Sequence, residues 1–481
     1  MEYLFVFDDT VKKNDQIREI IGEKGFADVL VKRKTIFERF SKLINDLFEN
    51  ANIIIIRSKL EYNDLKTKIS KYTEAKIFHF FSNFVICDSV EVGFSLEKLK
   101  YVDTSLEFTE NGKTVGAIFG KIRQYIEYIN YINNWDNNDI EFNFENTSYI
   151  EGVLNIGETS NFIQYITGCF DSRYFNKLTG DDYSIIKSSS NKEKIKAEYN
   201  YWYLLPNQMK MWFVQPFNFY ETEQEAGYSM ERLHMTDLAV KWVHGSISVD
   251  EMNYILDKYF YFINHRIKRN ISEEEFKEIA EKLYTRKVLD RVNEFKNTDC
   301  YDKIKVYIER KNYCLLDELI EQYFLLKNKV ENRKKNNYYS VIGHGDACFS
   351  NMMYNKTTRT LKFIDPKGAI DESDLWMNPY YDIAKLSHSI CGRYDYFNND
   401  MVDIYVGNDL QLELDFNFDN REFIIAFRDK LDEYGFDYWL VRIYEVSLFL
   451  SMLPLHSDNP YKVLGFILNA RDILREILSN V

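Results

Sequence analysis

The sequence predicts an α+β protein in which a small α/β domain precedes two lobes, one rich in β-strands and one helical. Short apolar runs alternate with helical patterns before the polar segment 133–146, and β-rich runs then continue to about residue 233. Amphipathic helical patterns dominate the remainder of the chain. We therefore place the domains at residues 1–135, 145–233 and 234–481.

Strand-like and helical runs alternate in the first domain. The apolar runs 3–7 and 52–56 flank the amphipathic segment 34–49, and further helical and apolar runs follow. Strands separated by helices favour βαβ units and a parallel sheet.

The second domain contains short runs of β type around one helical stretch. The β-rich runs are 162–168, 183–187, 212–219 and 228–233, and the helical stretch is 191–205. A small β-rich lobe with one helix is therefore expected before the helical lobe.

Helix starts in the third domain are marked by polar residues three positions before a glutamate, which is the spacing of a capping box. The pairs are Ser248 with Glu251, Ser272 with Glu275, and Asp419 with Glu422. Proline at a first helical position is also favourable, and Asn459 followed by Pro460 fits that pattern.

Composition narrows the classes of function. The 481 residues are 45% hydrophobic and 28% charged, and no apolar segment is long enough for membrane insertion. The start of the chain, MEYLFVFDDT, does not fit a secretory signal. Six cysteines without CxxC spacing argue for a reducing cytoplasm and against disulfides or a zinc site. A net charge of -14 disfavours nucleic acid as a partner.

The segment 342–368, IGHGDACFSNMMYNKTTRTLKFIDPKG, places polar residues in strand-like sequence. Phosphoryl transfer requires a carboxylate that orients the attacking hydroxyl and oxygen ligands that hold Mg²⁺. Asp346 fits the first role, and Asn351 and Asp365 fit the second. The run HGDACFSN has the spacing of the kinase catalytic loop HRDxxxxN.

The sequence between Asn351 and Asp365 consists of two short apolar runs around the polar turn 355–359, which predicts a β-hairpin. Such a hairpin would bring Asp365 back beside Asn351, so that both could reach one metal ion. The alternative is that His344 and Asp346 are turn residues beside two glycines, because HxDxxxxN alone arises by chance in some chains of this length. The hairpin and the IDPKG ending favour the catalytic interpretation.

On HGD at 344–346, Asn351 and IDPKG at 364–368, the chain from about residue 145 to its end resembles the aminoglycoside phosphotransferase and choline kinase family of small-molecule kinases. The resemblance implies a bilobal protein-kinase-like fold, with ATP and Mg²⁺ as cofactors. It also implies that Asp346 is the catalytic residue and that Asn351 and Asp365 are metal ligands.

Upstream segments supply the rest of the nucleotide site that this resemblance implies. Lys187 would contact the nucleotide phosphates, and Glu198 would pair with that lysine, with Glu193 as a rival in the same helical stretch. The segment 168–173 resembles the phosphate-facing turn, which makes Gly168 and Ser172 candidates. The segment 226–233 resembles the strand that leads into the hinge, where the main chain near Met230 and Glu231 would receive adenine.

Beyond Asp365, Asp382 resembles a family aspartate that braces the catalytic loop. The first domain weakly resembles a sugar-nucleotide nucleotidyltransferase in its segments 31–46 and 52–65. The glycine- and arginine-rich phosphate loop of those enzymes is absent after the first strand, which predicts a degenerate domain.

The leading hypothesis is an ATP- and Mg²⁺-dependent phosphotransferase that acts on a hydroxyl of a sugar, an amino alcohol or an aminoglycoside-like compound, with surface-glycan biosynthesis as a candidate pathway. Two alternatives stay open: a bifunctional kinase and nucleotidyltransferase, and a kinase-fold pseudoenzyme that serves as a binding scaffold. The catalytic loop specifies the phosphate chemistry and is silent about the acceptor.

Overall fold

The computed structural model describes residues 2–49, 51–72, 75–134, 142–167, 177–180, 183–310, 313–333, 338–408 and 410–481. The chain divides into two compact units. The first is Met1–Ser172 with His244–Ser246, and the second is Arg173–Val243 with Ile247–Val481.

The first unit contains ten strands and six helices within its described residues. The strands are β1 (Tyr3–Asp8), β2 (Leu30–Val31), β3 (Lys34–Thr35), β4 (Ala51–Ile56), β5 (Lys76–Phe81), β6 (Phe84–Ile86), β7 (Leu106–Glu110), β8 (Lys113–Phe119), β9 (Asn146–Tyr149) and β10 (Val153–Asn155). The helices are α1 (Asp15–Ile21), α2 (Ile36–Leu47), α3 (Glu61–Ile69), α4 (Ser89–Leu99), α5 (Ile122–Asn133) and α6 (Thr159–Ile166).

A six-stranded mixed sheet forms the centre of this unit, in the order β4-β1-β5-β8-β7-β9. Strand β1 pairs in parallel with both β4 and β5, as the βαβ pattern predicted, whereas β8 is antiparallel to β5 and to β7. The turn between β7 and β8 is Asn111–Gly112, and both residues have positive φ angles, 48° and 75°. That is the two-residue turn that suits the twist of a β-hairpin.

The first unit extends beyond the predicted boundary near residues 135–145. Strand β9 lies after the polar segment and pairs in parallel with β7, and β10 pairs with β6. The segment 162–168, predicted as a β-rich run of the small lobe, instead lies in and just after α6, where Phe162 and Ile163 are buried. Local β propensity is a weak signal, and packing against α1 and β10 decides the conformation here.

The second unit begins with a small β-rich part and continues with a large helical part. Its strands are β11 (Lys177–Gly180), β12 (Ser184–Ser189), β13 (Pro216–Glu221), β14 (Ala226–Glu231), β15 (Thr236–Asp237), β16 (Lys268–Asn270), β17 (Glu309–Arg310), β18 (Tyr313–Cys314), β19 (Tyr339–Ile342), β20 (Met352–Asn355), β21 (Thr360–Phe363), β22 (Trp376–Met377), β23 (Asp403–Val406) and β24 (Leu412–Asp415).

Its helices are α7 (Lys192–Leu204), α8 (Asn207–Lys210), α9 (Leu238–Val243), α10 (Val249–His265), α11 (Glu273–Glu281), α12 (Lys287–Lys296), α13 (Asp299–Ile308), α14 (Leu315–Glu331), α15 (Tyr381–Ile390), α16 (Tyr394–Asn398), α17 (Arg421–Tyr434), α18 (Tyr438–Ser451) and α19 (Pro460–Asn480). A π-helical turn, Lys282–Arg286, joins α11 to α12.

The architecture of the second unit confirms the predicted α+β class with a β-rich lobe followed by a helical lobe. The small lobe is an antiparallel sheet in the order β11-β12-β14-β13, and α7 packs against β13 and β14. The helical lobe carries two three-stranded sheets, β15-β20-β21 and β16-β19-β22. These short sheets hold the segment 342–368, because β19 leads into it and β20 and β21 lie within it.

Most of the predicted helix starts are confirmed. Ser248 and Ser272 accept hydrogen bonds from the backbone N–H groups of Glu251 and Glu275, and Asn459 caps α19, which has Pro460 in its first turn. Helix α17 differs, because its N-cap is Asn420 and not Asp419. Within the described parts of the chain, no helix combines the length and the apolar character of a membrane span.

Candidate active site

The segment 342–368 begins at the end of β19, and its third residue, His344, is buried. The Nδ1 atom of His344 accepts the backbone N–H of Asp346 at 3.1 Å, and Nε2 lies 2.9 Å from the carbonyl oxygen of Ile364. Because a backbone N–H can only donate, Nε2 carries the proton and donates to Ile364. Burial lowers the pKa of His344 and outweighs the carboxylates of Asp382 and Asp346, so the ring is neutral at pH 7.

Asp382 lies beneath the catalytic loop, in the bracing position that the sequence predicted. Its Oδ2 accepts the backbone N–H of His344 at 3.0 Å, and its Oδ1 accepts that of Gly345 at 2.8 Å. The guanidinium of Arg266 donates to the same carboxylate at 3.1 Å. All four groups are buried, and the charge of Asp382 is matched by Arg266, so this carboxylate orients the loop.

Asp346 projects from the loop into a cleft, with 42% of its side chain exposed. Its Oδ1 lies 2.8 Å from Nζ of Lys385, and its Oδ2 accepts a hydrogen bond from Nδ2 of Asn351 at 3.1 Å. Burial raises the pKa of Asp346, but the ammonium of Lys385 and the other donors outweigh it, so the pKa lies below its usual value. Asp346 is therefore ionised at neutral pH, which suits a residue that must accept a proton.

The predicted hairpin between Asn351 and Asp365 is confirmed. Strands β20 and β21 are antiparallel, and the backbone N–H of Ile364 donates to the carbonyl of Asn351 at 3.0 Å. Asp365 follows with a φ angle of 55°, in the left-handed region that non-glycine residues rarely occupy. Strained backbone of this kind is common at functional sites, and here it sets the direction of the carboxylate.

Lys187 of β12 links the small lobe to this hairpin. Its Nζ lies 2.7 Å from Oε2 of Glu198 and 2.8 Å from Oδ1 of Asp365. Only 3% of the Lys187 side chain and 2% of the Glu198 side chain are exposed, and Tyr228 donates to Glu198 at 3.3 Å. Burial lowers the pKa of Lys187, but Asp365, Tyr228 and Glu198 outweigh it, so the ammonium stays charged.

The geometry distinguishes between the two glutamates that the sequence left as rivals. Glu198 is buried in the middle of α7 and contacts Lys187, whereas Glu193 lies in the first turn of that helix and points away from the core. The difference follows from the helical period, since positions five apart lie on different faces of a helix.

The glycine of IDPKG is required by close packing against α7. Gly368 has a φ angle of 90°, and a Cβ atom there would lie 2.8 Å from the carbonyl carbon of Ala197 and 2.9 Å from the backbone nitrogen of Glu198. The next residue, Ala369, donates its N–H to the carbonyl of Ala197 at 3.0 Å. Gly368 therefore allows the segment after Asp365 to lie directly against the helix that carries Glu198.

Of the other four residues predicted to bind the nucleotide, two lie within the described residues and two do not. Met230 lines a small, largely apolar cavity with Tyr228, Phe213 and Ile364, next to Asp365. Glu231 ends β14 and is exposed. The predicted phosphate-facing turn, with Gly168 and Ser172, lies outside the described residues.

Sequence reasoning missed Lys385 as part of this site. Lys385 follows Asp382 by three positions on α15, so both project from neighbouring points on one face of that helix. That spacing was the available signal, because a residue one turn from the loop brace must also lie near the loop. Lys287 was also missed, and its Nζ donates a hydrogen bond of 3.0 Å to the hydroxyl of Tyr381 at the edge of the same cleft.

Asn351 and Asp365 form a donor set that fits Mg²⁺. Nδ2 of Asn351 donates to the main-chain and side-chain oxygens of Asp346, at 2.8 and 3.1 Å, which leaves the carbonyl oxygen Oδ1 as the hard donor. Oδ1 of Asp365 contacts Lys187 and leaves Oδ2 available. Among the described residues, no group of three or more His, Cys, Asp or Glu side chains could hold a metal ion. Two protein oxygens with further ligands from phosphate and water are typical of Mg²⁺.

No protein-family model and no curated protein matches the chain. The solved structures that are similar to it include aminoglycoside phosphotransferase APH(4)-Ia in a ternary complex with AMP-PNP and hygromycin B, with 10% identity, a TM-score of 0.37, and coverage of 63% of this chain and 90% of that chain. A second is a choline/ethanolamine kinase family protein from Mesorhizobium loti, with 9% identity, a TM-score of 0.30 and coverage of 63% and 85%. A third is the streptomycin-ATP-APH(2")-IIa ternary complex, with 14% identity, a TM-score of 0.31 and coverage of 64% and 90%.

Proposed function

We propose that the protein is an ATP- and Mg²⁺-dependent phosphotransferase that acts on a hydroxyl of a small molecule. One observation carries the proposal: the buried pair Lys187 and Glu198 from the small lobe meets Asp365, whose hairpin also carries Asn351 beside Asp346. A lysine, two metal-binding oxygens and an ionised carboxylate within one set of contacts are what phosphoryl transfer requires.

Asp346 orients the acceptor hydroxyl and takes its proton. The acceptor oxygen bonds to the γ-phosphorus of ATP, the bond from that phosphorus to the β,γ-bridging oxygen breaks, and ADP leaves with the bond electrons. His344 supports this step by receiving the N–H of Asp346, and Asn351 restrains the carboxylate by donating to it. Positioning and fixed charges therefore account for most of the expected acceleration.

Lys187 binds phosphate oxygens, and Glu198 and Asp365 determine its direction through their ion pairs. Bound Mg²⁺, held by Asn351 and Asp365, would neutralise charge on the β- and γ-phosphates. Main-chain groups near Met230 and Glu231, at the end of β14, would receive adenine. Gly168 and Ser172, which lie outside the described residues, are proposed for phosphate binding on the resemblance alone.

The proposed acceptors are sugars, amino alcohols and aminoglycoside-like compounds, and surface-glycan biosynthesis is a pathway in which such a phosphorylation would serve. We place the reaction in the cytoplasm, because ATP is available there and the cysteine pattern fits a reducing compartment.

The test is incubation of the full chain with ATP, Mg²⁺ and a panel of sugars, amino alcohols and aminoglycosides, with mass spectrometry for phosphate gain. We expect one class to be phosphorylated and Asp346→Asn to lower kcat by about 10²- to 10⁴-fold while the affinity for Mg²⁺·ATP changes little. Unchanged turnover in that variant would remove Asp346 from its role. Failure to bind Mg²⁺·AMP-PNP by calorimetry would favour the scaffold alternative, and CTP consumption with pyrophosphate release would favour the bifunctional one.

A further inference from the structure

The cleft in front of Asp346 has a volume of about 1140 Å³, which is enough for a small molecule in addition to the transferred phosphate. One of its walls is formed by the end of α11, the π-helical turn and α12, which together supply Glu278, Leu283 and Asp290 among other residues. Short π-helical segments inserted between α-helices are frequent at functional sites. We therefore consider this wall as the surface that would bind the acceptor.

Positive charge is in excess on this wall and at its rim. The cationic side chains are those of Lys282, Arg286, Lys287, Arg291 and Lys367, and the carboxylates outside the catalytic set are those of Glu278, Asp290 and Glu294. The chain as a whole has a net charge of -14, so the sign of this region is opposite to that of the protein. A reversed local charge that lines a cleft attracts a ligand of the opposite sign.

Two of these three carboxylates form ion pairs with arginines of the same wall. Arg286 lies 2.8 Å from Glu278, and Arg291 lies 2.7 Å from Glu294. Among the described residues, no carboxylate forms an ion pair with Lys282, Lys287 or Lys367. Three ammonium groups thus line the cleft. Asp290 is the described carboxylate of the wall that lies outside those two ion pairs, and Asp374, outside the cleft lining, interacts electrostatically with Lys367 and Lys282.

The positive potential reaches the inner end of the cleft. Lys287 donates to the hydroxyl of Tyr381 at 3.0 Å, and Lys385 lies one helical turn further along α15. Burial raises the pKa of Tyr381, but the ammonium groups of Lys287 and Lys385 outweigh it, so the pKa lies below its usual value. Lys287, which contacts the Tyr381 hydroxyl, and the nearby Lys385 would stabilise a negative charge at this point.

The basic wall and residues assigned to the nucleotide line the same cleft, but they come from different elements of the fold. Contacts lead from Lys187 to Asp365, along the hairpin to Asn351, and then to Asp346. From Asp346 they continue through Lys385 toward Lys287, which is therefore at the other end of the series. Lys187 accounts for the phosphates of ATP, so the charge around Lys287 is available for the acceptor.

We propose that the phosphate acceptor is an anion: a hydroxyl compound that also carries a carboxylate or phosphate group, held by Lys282 and Lys287 while its hydroxyl meets Asp346. This inference rests on the proposed function and makes it more specific. It predicts that acidic or phosphorylated polyols are better acceptors than cationic compounds such as free amino alcohols and aminoglycosides.

The test uses the full chain saturated with Mg²⁺ and AMP-PNP, so that the nucleotide phosphate site is occupied, and inorganic phosphate as the probe in calorimetry. We expect phosphate to bind and the variant Lys282→Ala/Lys287→Met to weaken that binding about tenfold or more. Lys296→Ala is the matched control, because Lys296 ends the same helix α12, pairs with Asp317 and does not line the cleft. We expect it to bind phosphate as the wild type does.

A second arm compares related six-carbon acceptors of different charge: glucose, glucose 6-phosphate, gluconate and glucosamine, each with Mg²⁺·ATP. A higher kcat/KM for an acidic member supports the inference, and whether the phosphate or the carboxylate is preferred identifies the anionic group. Absence of phosphate binding, equal binding in the double variant, or a preference for glucosamine would overturn it. Failure of AMP-PNP to bind would instead remove the proposed function, so the two results are distinguishable.

Discussion

Nζ of Lys385 lies 2.8 Å from Oδ1 of Asp346, so the residue that would take the acceptor proton is held by a lysine from a different element, α15. The ammonium keeps the carboxylate ionised in a site where burial alone would favour the neutral acid. It also restrains the direction of the carboxylate toward the cleft.

Replacement of Lys385 by methionine is expected to raise the pKa of Asp346, because burial then acts without its opposing charge. The proton-accepting form is lost as the pH falls through that pKa, so the acidic limb of kcat/KM moves to higher pH. The measurement is the pH profile of kcat/KM for wild type and variant. Lys305→Met, at an exposed pair with Asp302, is the control, and an acidic limb that stays in place would contradict the role of Lys385.

Replacement of Lys187 by methionine is expected to lower the free energy of unfolding by about 3–5 kcal/mol, because it leaves the buried carboxylate of Glu198 without its nearest cation. The double variant Lys187→Met/Glu198→Leu removes both charges and should recover much of that loss. Chemical denaturation measures both. Neither variant should transfer phosphate, and a double variant less stable than the single one would contradict the pairing.

Gly368→Ala is expected to destabilise the protein by more than about 1 kcal/mol and to reduce activity, because the added Cβ clashes with Ala197 and Glu198 and the φ angle is positive. Gly435→Ala provides a matched control, since Gly435 has a φ of 76° but a Cβ added there would meet nothing within 4 Å. It should show the conformational cost alone and retain activity. Thermal unfolding and kcat/KM measure the two effects, and equal results for both variants would contradict the packing argument.

His388 is expected to make the protein less stable in acid. Its ring is buried between Tyr394 and Phe449, and within the described residues neither ring nitrogen has a hydrogen-bond partner. Burial places the pKa of His388 well below its usual value, with Lys385 adding to the effect. Below its usual pKa this histidine is protonated in the unfolded chain but stays neutral in the folded chain. The free energy of unfolding therefore falls by about 1.4 kcal/mol per pH unit below about pH 6.5.

The variant His388→Phe should lose this part of the pH dependence between about pH 7 and pH 5. The measurement is the free energy of unfolding by urea at several pH values. His265→Phe is the control, because His265 is exposed at the end of α10. If both variants kept the wild-type slope, His388 would not be the titrating group.

The sequence alone determined the parts of the site that lie close together along the chain. The spacing from His344 to Asn351, the hairpin that returns Asp365 and the helix that carries Glu198 all follow from local patterns, because turns, strands and helices are set by neighbours in sequence. The order of a β-rich lobe before a helical lobe followed in the same way. The sequence favoured Glu198 over its rival Glu193 as the partner of Lys187, because Glu198 lies mid-helix beside an apolar run.

Tertiary structure decided what depends on contacts between distant segments. It joined β9 to the first unit's sheet across a polar segment that looked like a boundary, and it made a helix of residues that have strand-like composition. It also placed Lys385 beside Asp346 and brought the lysines of the wall together along one cleft. Local pattern predicts the proposed site residues Asp346, Asn351 and Asp365 because they lie on one loop and the hairpin that follows it. The proposed acceptor wall is assembled from α11, α12 and α15, so its charges come together in one cleft only when those helices pack.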